Sequence, residues 1–129
     1  MGAQSIVAVS RHPRSRDVIS YDDLRSTTLQ KQGSLIVNCT PVGMSPQVEA
    51  SPWPADLPCP DQVTLYDLVY NPPETTFMRQ VRAVGGRAIS GLGMLVRQGA
   101  AAFKLWTGLT PPLDVMTDAT KQQLMMQKD

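Results

Sequence analysis

Residues 63–73, VTLYDLVYNPP, decide the fold. Val63–Tyr70 is a short run rich in β-branched and aromatic side chains, charged only at Asp67. It reads as a strand, stopped by Asn71-Pro72-Pro73. Glu74-Thr75-Thr76 then opens a helix through about Val84, whose apolar Phe77, Val81 and Val84 stand four and three apart. Gly85-Gly86 ends that helix. Arg87–Ser90 is a second short strand, and Gly91-Leu92-Gly93 leads into a long helix reaching Trp106. Largely apolar strands alternating with helices predict an α/β fold with a parallel sheet covered on both faces.

Towards the N-terminus the same grammar continues. Leu35–Cys39 (LIVNC) and Ser5–Ser10 (SIVAVS) read as further buried strands. The latter ends at a polar turn carrying Arg11, Arg14 and Arg16. Ser20 with Asp23 three residues on forms a capping box, so a short helix is expected there. Thr40–Pro60 holds many of the 11 prolines and has no period. It reads as a long loop, and loops of that length are usually functional or mobile. Towards the C-terminus, Met94, Leu95, Gln98, Ala101, Ala102 and Leu105 are the expected inward stripe of the long helix, with Met94 and Trp106 in the core. Thr107-Gly108 closes that helix, and Leu113–Met126 reads as a last, polar one.

Composition sets the bounds. The 129 residues allow one domain of ordinary size. Lys and Arg total 12 against 11 acids, a net charge of +1, which argues against a sequence-blind nucleic-acid binder. No apolar run approaches the ~18 residues of a membrane span, and no signal peptide is evident. Cys39 and Cys59 make no disulfide framework and read as inert small apolar residues. His12 is the only histidine, so no zinc cluster is expected. The reading is a soluble cytoplasmic domain.

Parallel sheets bind ligands at the carboxyl ends of their strands. The polar oddities fall there: Ser10-Arg11, Asn38-Cys39-Thr40, Tyr70-Asn71 and Gly91. A basic turn after a strand suits an anionic ligand, because a planar guanidinium can hold a phosphate bidentately; a merely solvated turn is the alternative. Gln98 interrupts the expected apolar stripe, so its amide should seek a partner, either a ligand or a loop carbonyl. Tyr70 is either a ligand contact or a packed aromatic. Asp67 reads as a structural acid orienting the following turn or a neighbouring backbone amide.

Together these places resemble the C-terminal part of the shikimate dehydrogenases. Asn38-Cys39-Thr40-Pro41-Val42-Gly43-Met44 is similar to their Asn-x-Thr-Pro-x-Gly-Met stretch, and Asp67 through Pro72 to their Asp-x-x-Tyr-Asn-Pro element. Gly91 through Gln98 resembles their Gly-led helix with a Gln seven residues on, continued by Phe103 and Trp106-Thr107-Gly108. Ser10-Arg11-His12 resembles their Asn-Arg-Thr turn. The likeness runs from about Ile6 to about Leu124.

The resemblance implies NADP-dependent interconversion of shikimate and 3-dehydroshikimate, in aromatic amino-acid biosynthesis. It implies that Ser10, Arg11 and His12 lie near the adenosine 2′-phosphate and that Thr40 borders the cofactor cleft; the family's further Arg position is Ser15 here, and Arg14 beside it is a candidate from the charge of the turn alone. Leu68 and Gly91 would touch the nicotinamide half, and Tyr70 and Gln98 the substrate. The first strand has no acid at its end to hold ribose hydroxyls, which favours NADP over NAD. The departures matter as much. The family's catalytic Lys/Asp pair belongs to an N-terminal domain with no counterpart here, and no Gly-x-Gly-x-x-Gly precedes Ile6. Residues 1–129 therefore read as an incomplete, partial Rossmann-like doubly wound domain lacking the first strand and Gly-rich loop. Its last helix, 113–127, would pack on the absent substrate domain. Two functions follow: a part of the dehydrogenase that is inactive alone, or a non-catalytic remnant or accessory nucleotide-binding module. Self-association through exposed strand edges is expected.

Overall fold

The computed structural model describes residues 3–24 and 33–126. The chain runs β1 (Ala8–Val9), β2 (Val18–Ile19), α1 (Tyr21–Leu24), β3 (Leu35–Asn38), β4 (Thr64–Asp67), α2 (Thr76–Ala83), β5 (Arg87–Ser90), α3 (Leu92–Thr107) and α4 (Leu113–Met126). Gln127, the expected last residue of the final helix, lies outside the described residues. β3, β4 and β5 form a parallel sheet with β4 in the centre, Leu35 opposite Thr64 and Thr64 opposite Arg87. β1 and β2 form a separate parallel pair, Ala8 opposite Val18.

The core forms where β4 meets α2. Leu65 and Val63 are buried against Phe77, Met78 and Val81, a helical face set by the i, i+1, i+4 spacing. Thr75 starts α2 at its N-cap, its hydroxyl oxygen accepting the Met78 N–H at 3.2 Å. Val84 is not a core residue as the spacing suggested. It is the C-cap and is exposed, because the chain leaves the helix there through Gly85 at φ +82.

The Thr40–Pro60 loop is anchored along much of its length. Trp53 stacks on Phe77 with centroids 5.7 Å apart, and its indole N–H donates to the Leu57 carbonyl at 3.0 Å. The Ser51 hydroxyl donates to Gln80 Oε1 at 2.7 Å, and Thr76 Oγ1 donates to the Val48 carbonyl at 3.0 Å. The loop thereby covers one side of the core.

The capping box is present: Asp23 Oδ2 accepts from the Ser20 hydroxyl and backbone N–H, and Ser20 Oγ accepts the Asp23 N–H. β2 was not expected. Its two apolar residues directly follow a charged turn, too short a signal for a period-2 reading. The first strand is shorter and less buried than its sequence suggests, with Ile6 86% exposed and Val7 also exposed. β1 pairs with β2, while Val9, Ile19 and Tyr21 pack against the main core. β3 is likewise an edge, not a buried strand: Leu35 and Val37 are exposed. Among the described residues its single ladder partner is β4.

The expected stripe of α3 is also corrected. Val96 and Ala100, four apart, are the buried residues, while Gln98, Ala101 and Leu105 are exposed. Trp106, expected in the core, is 82% exposed. The helix closes at Gly108, φ +72, whose N–H donates to the Lys104 carbonyl at 2.9 Å. α4 packs back on α3 and buries Leu124.

Candidate functional site

Because β3, β4 and β5 run parallel, the residues that follow them share one edge of the sheet. Asn38 ends β3, Asp67 ends β4 opposite it, and Ser90 ends β5 opposite Asp67. Thr40, Leu68 through Tyr70, and Gly91 therefore emerge side by side. This is the ligand-bearing end of such sheets.

A buried hydrogen-bond network builds that edge. Asp67 is fully buried. Its Oδ1 accepts from Asn38 Nδ2 at 2.9 Å and from the Val69 N–H at 3.1 Å, and Oδ2 accepts from the Thr75 hydroxyl at 2.6 Å. Asn38 Oδ1 in turn accepts the Thr40 N–H at 3.0 Å and the Thr40 hydroxyl at 2.7 Å. Thr40 Oγ1 accepts the Val42 N–H at 3.2 Å. Gly91 completes the edge by close approach. A Cβ there would lie 2.2 Å from the Leu68 carbonyl oxygen, and its N–H donates to the Val69 carbonyl at 3.1 Å. Glycine is required at this point by space, not by dihedral angle. Gly43, at φ +91, is required by its angle and lies against the Ala50 carbonyl. The Ser45 N–H donates to the Asn71 carbonyl at 2.9 Å, tying the loop after β3 to the loop after β4.

The structure thus brings Thr40, Leu68 and Gly91 to one edge. Tyr70 stands just beyond, half-buried, on a groove of about 330 Å³ that Met44, Ser45, Asn71, Leu95, Thr120, Gln123 and Leu124 also line. Gln98 does not line this groove; its side chain is exposed, so the expectation of a buried amide in an apolar stripe fails. Ser10, Arg11, His12 and Arg14 form the turn between β1 and β2. Ser10 is half-buried and accepts the His12 N–H at 3.2 Å, while Arg11, His12 and Arg14 are exposed. Sequence reading placed Asn38 at the ligand-bearing strand end without its hydrogen bonds, and missed Thr75 in the network and Thr120 in the groove. The first two are polar residues beside strand or helix ends, and a buried Asn–Asp–Thr set leaves no periodic signal. Cys39 is exposed; burial pushes the Cys59 thiol up. Among the described residues no group of His, Cys, Asp and Glu could hold a metal ion, and no helix is long and apolar enough to cross a membrane.

Parallel strands followed by helices, with polar and glycine residues gathered at the strand ends, define a Rossmann-type α/β sheet. Comparison with known proteins narrows this. The sequence pattern described as Shikimate 5'-dehydrogenase C-terminal domain matches residues 91–121. A shikimate dehydrogenase (NADP(+)) of Methanosarcina barkeri is 41% identical over 98 residues, covering 76% of this chain and 35% of that protein. The crystal structure of a chorismate mutase/shikimate 5-dehydrogenase fusion protein from Clostridium acetobutylicum superposes with a TM-score of 0.75. It is 32% identical, covering 95% of this chain and 47% of the other. Shikimate 5-dehydrogenase from Thermus thermophilus, in complex with NADP(H) and shikimate, gives a TM-score of 0.64 at 38% identity, over 81% of this chain and 38% of that one. The chain belongs to the shikimate dehydrogenase family, as its C-terminal part. It spans about a third to a half of the length of these relatives.

Proposed function

We propose that this chain is the cofactor-side part of an NADP-dependent shikimate dehydrogenase acting in the cytoplasm. The observation that carries the reading is the shared edge: the three motif-bearing loops, at Thr40, Leu68–Tyr70 and Gly91, leave parallel strands side by side and are hydrogen-bonded into one unit. The donor set fits the cofactor. Arg11 and Arg14 are exposed guanidiniums in a turn directly after a strand, an arrangement that suits a 2′-phosphate. Thr40, Leu68 and Gly91 would flank the nicotinamide half. When bound, NADP supplies the hydride acceptor for the secondary alcohol of shikimate, or the donor for its ketone.

Tyr70 and Gln98 would hold the substrate. Removing the substrate's hydroxyl proton needs a base, and none here is well placed: His12 would sit at the far end of the cofactor, and Asp67 is buried with its carboxylate taken up by Asn38, Val69 and Thr75. The Lys/Asp pair that the family resemblance implies must come from the N-terminal substrate domain, whether joined to this chain or separate. The 129 residues alone therefore exchange no hydride. Exposed apolar side chains on α3 and α4, Leu105, Trp106 and Val115 at 83%, 82% and 65%, are candidates to meet that domain. In the domain's absence, the open edge of β3 would pair with a second copy of the chain.

The test is a ¹H–¹⁵N correlation spectrum of the chain with and without NADP⁺, followed by an assay with shikimate. Shifts at Arg11, Thr40 and Gly91 without turnover are expected. A folded chain indifferent to NADP⁺ would leave a non-catalytic interaction module as the better reading, and turnover at an ordinary rate would refute the division of labour.

A further inference from the structure

Asp67 ends β4 and is fully buried, and its three side-chain partners all donate to it: Asn38 Nδ2, the Val69 N–H and the Thr75 hydroxyl. Each partner leads to a different element. Through Asn38 the network reaches Thr40 and Val42, beyond the end of β3. Through Val69, whose carbonyl accepts the Gly91 N–H, it reaches the end of β5. Through Thr75 it reaches the N-terminus of α2. One carboxylate thus links three strand ends and a helix start.

The strands and the helix do not need this group. Backbone ladders already join β3 to β4 and β4 to β5, and Thr75 can cap α2 by itself. A buried carboxylate is unfavourable unless fully hydrogen-bonded, and an apolar side chain would serve the ladders as well. What the carboxylate alone achieves is to fix the chain after it leaves the strands, where the backbone ladders no longer hold it. We propose that Asp67 is a positioning residue: an acceptor-only hub that keeps the Thr40 loop and the Leu68–Gly91 floor in one register, so that both sides of the cleft present to cofactor as a unit. This rests on the cofactor reading of Thr40, Leu68 and Gly91.

The test uses amide spectra of the full chain, with and without NADP⁺, for wild type, Asp67→Asn, and the swap that combines Asn38→Asp with Asp67→Asn. Asp67→Asn keeps shape but turns an N–H₂ group towards donors. It should displace the Thr40, Val69 and Gly91 amides and weaken NADP⁺ binding roughly tenfold, the effect of about one lost charged hydrogen bond. In the swap, the amide introduced at position 67 can donate to the carboxylate introduced at position 38, and that carboxylate can still accept from Thr40. The Thr40 amide should return towards its wild-type position, while Val69, which loses its acceptor, stays displaced. General destabilisation would not produce that split. Unmoved amides, unchanged affinity in Asp67→Asn, or a swap that leaves Thr40 displaced would overturn the inference alone. If Asp67→Asn does not fold, Asn38→Ala, which leaves the Val69 and Thr75 bonds intact, must displace Thr40 and Val42 and weaken NADP⁺ binding, or the inference fails. A folded wild-type chain that ignores NADP⁺ overturns the cofactor reading itself, and this inference with it.

Discussion

Replacing Gly91 by alanine isolates the contact on which the cleft floor is built. Gly91 has φ −69 and ψ −5, an ordinary right-handed conformation, so the added methyl brings no dihedral strain. It brings only volume. The new Cβ would lie 2.2 Å from the Leu68 carbonyl oxygen, 2.6 Å from its carbonyl carbon and 3.0 Å from its Cα. A carbon and an oxygen settle at about 3.3 Å or more, so the two backbones must separate by roughly 1 Å. No side chain can rotate out of the way. The overpacking costs about 1–3 kcal/mol, and the Gly91–Val69 backbone hydrogen bond, about 1 kcal/mol, is strained with it. Gly91→Ala should therefore destabilise the fold by about 2–4 kcal/mol. Gly93→Ala is the internal control. It lies two residues on, inside α3, with nothing within 4 Å of its added Cβ. There the same change should stabilise by about 0.5–1 kcal/mol through helix propensity. With a urea slope of about 1–3 kcal/mol/M, the two midpoints should differ by about 1 M or more. The assay is urea unfolding followed by far-UV circular dichroism. A Gly91→Ala midpoint equal to or above that of Gly93→Ala would refute the close-approach argument.

Three other outcomes are expected. Arg11→Ala should weaken NADP⁺ binding by about tenfold while leaving the urea midpoint within about 0.5 kcal/mol of wild type, because Arg11 is exposed; a change in stability with unchanged NADP⁺ binding would reverse its assignment. Val37→Lys, which puts a charge on the open edge of β3, should shift the chain towards monomer in sedimentation velocity; a wild-type chain already monomeric at high concentration would remove the basis for edge pairing. The Ser20 hydroxyl bond to Asp23 holds that carboxyl below its usual range, with the Ser20 backbone N–H as the lesser cause. A carboxyl depressed in the folded state adds stability above its unfolded pKa, lost as pH falls through the folded one. The Asp23 titration, followed by NMR, should accordingly move to higher pH in Ser20→Ala; an unmoved titration would contradict the capping box.

The run from Val63 to Ser90 is legible because its punctuation is strong. Prolines after β4, a threonine cap before α2 and two glycines after it leave little room for another reading. α3 is legible as a helix but not in its orientation. Leu92 through Trp106 is apolar on almost every side, so no stripe stands out, and packing alone selects Val96 and Ala100 over Ala101 and Leu105. β1 and β3 show a different limit. Apolar β-branched runs identify strands, whereas burial depends on neighbours, and among the described residues β3 has a ladder partner only at β4. The site follows the same division. The motif loops can be placed from the strand ends they follow. The Asn38–Asp67–Thr75 network cannot, because its members are 29 and 8 residues apart and meet only through the parallel register.

That division separates two kinds of motif residue. Asn38, Thr40, Asp67 and Gly91 have partners inside the fold, in hydrogen bonds or backbone contact, so their residue types are accounted for without any ligand. Arg11, Arg14 and Gln98 are exposed, and among the described residues no hydrogen bond or ion pair calls for a guanidinium or an amide at those positions. Resemblance at the first kind shows that the strand ends are built as in the family, and it would persist in a chain that had lost its chemistry. Resemblance at Gln98, together with the basic turn after β1, bears on the chemistry itself, because the fold gains nothing from it. The shared edge thus carries the reading of a cofactor cleft, and the exposed residues are where a working dehydrogenase and a remnant would differ.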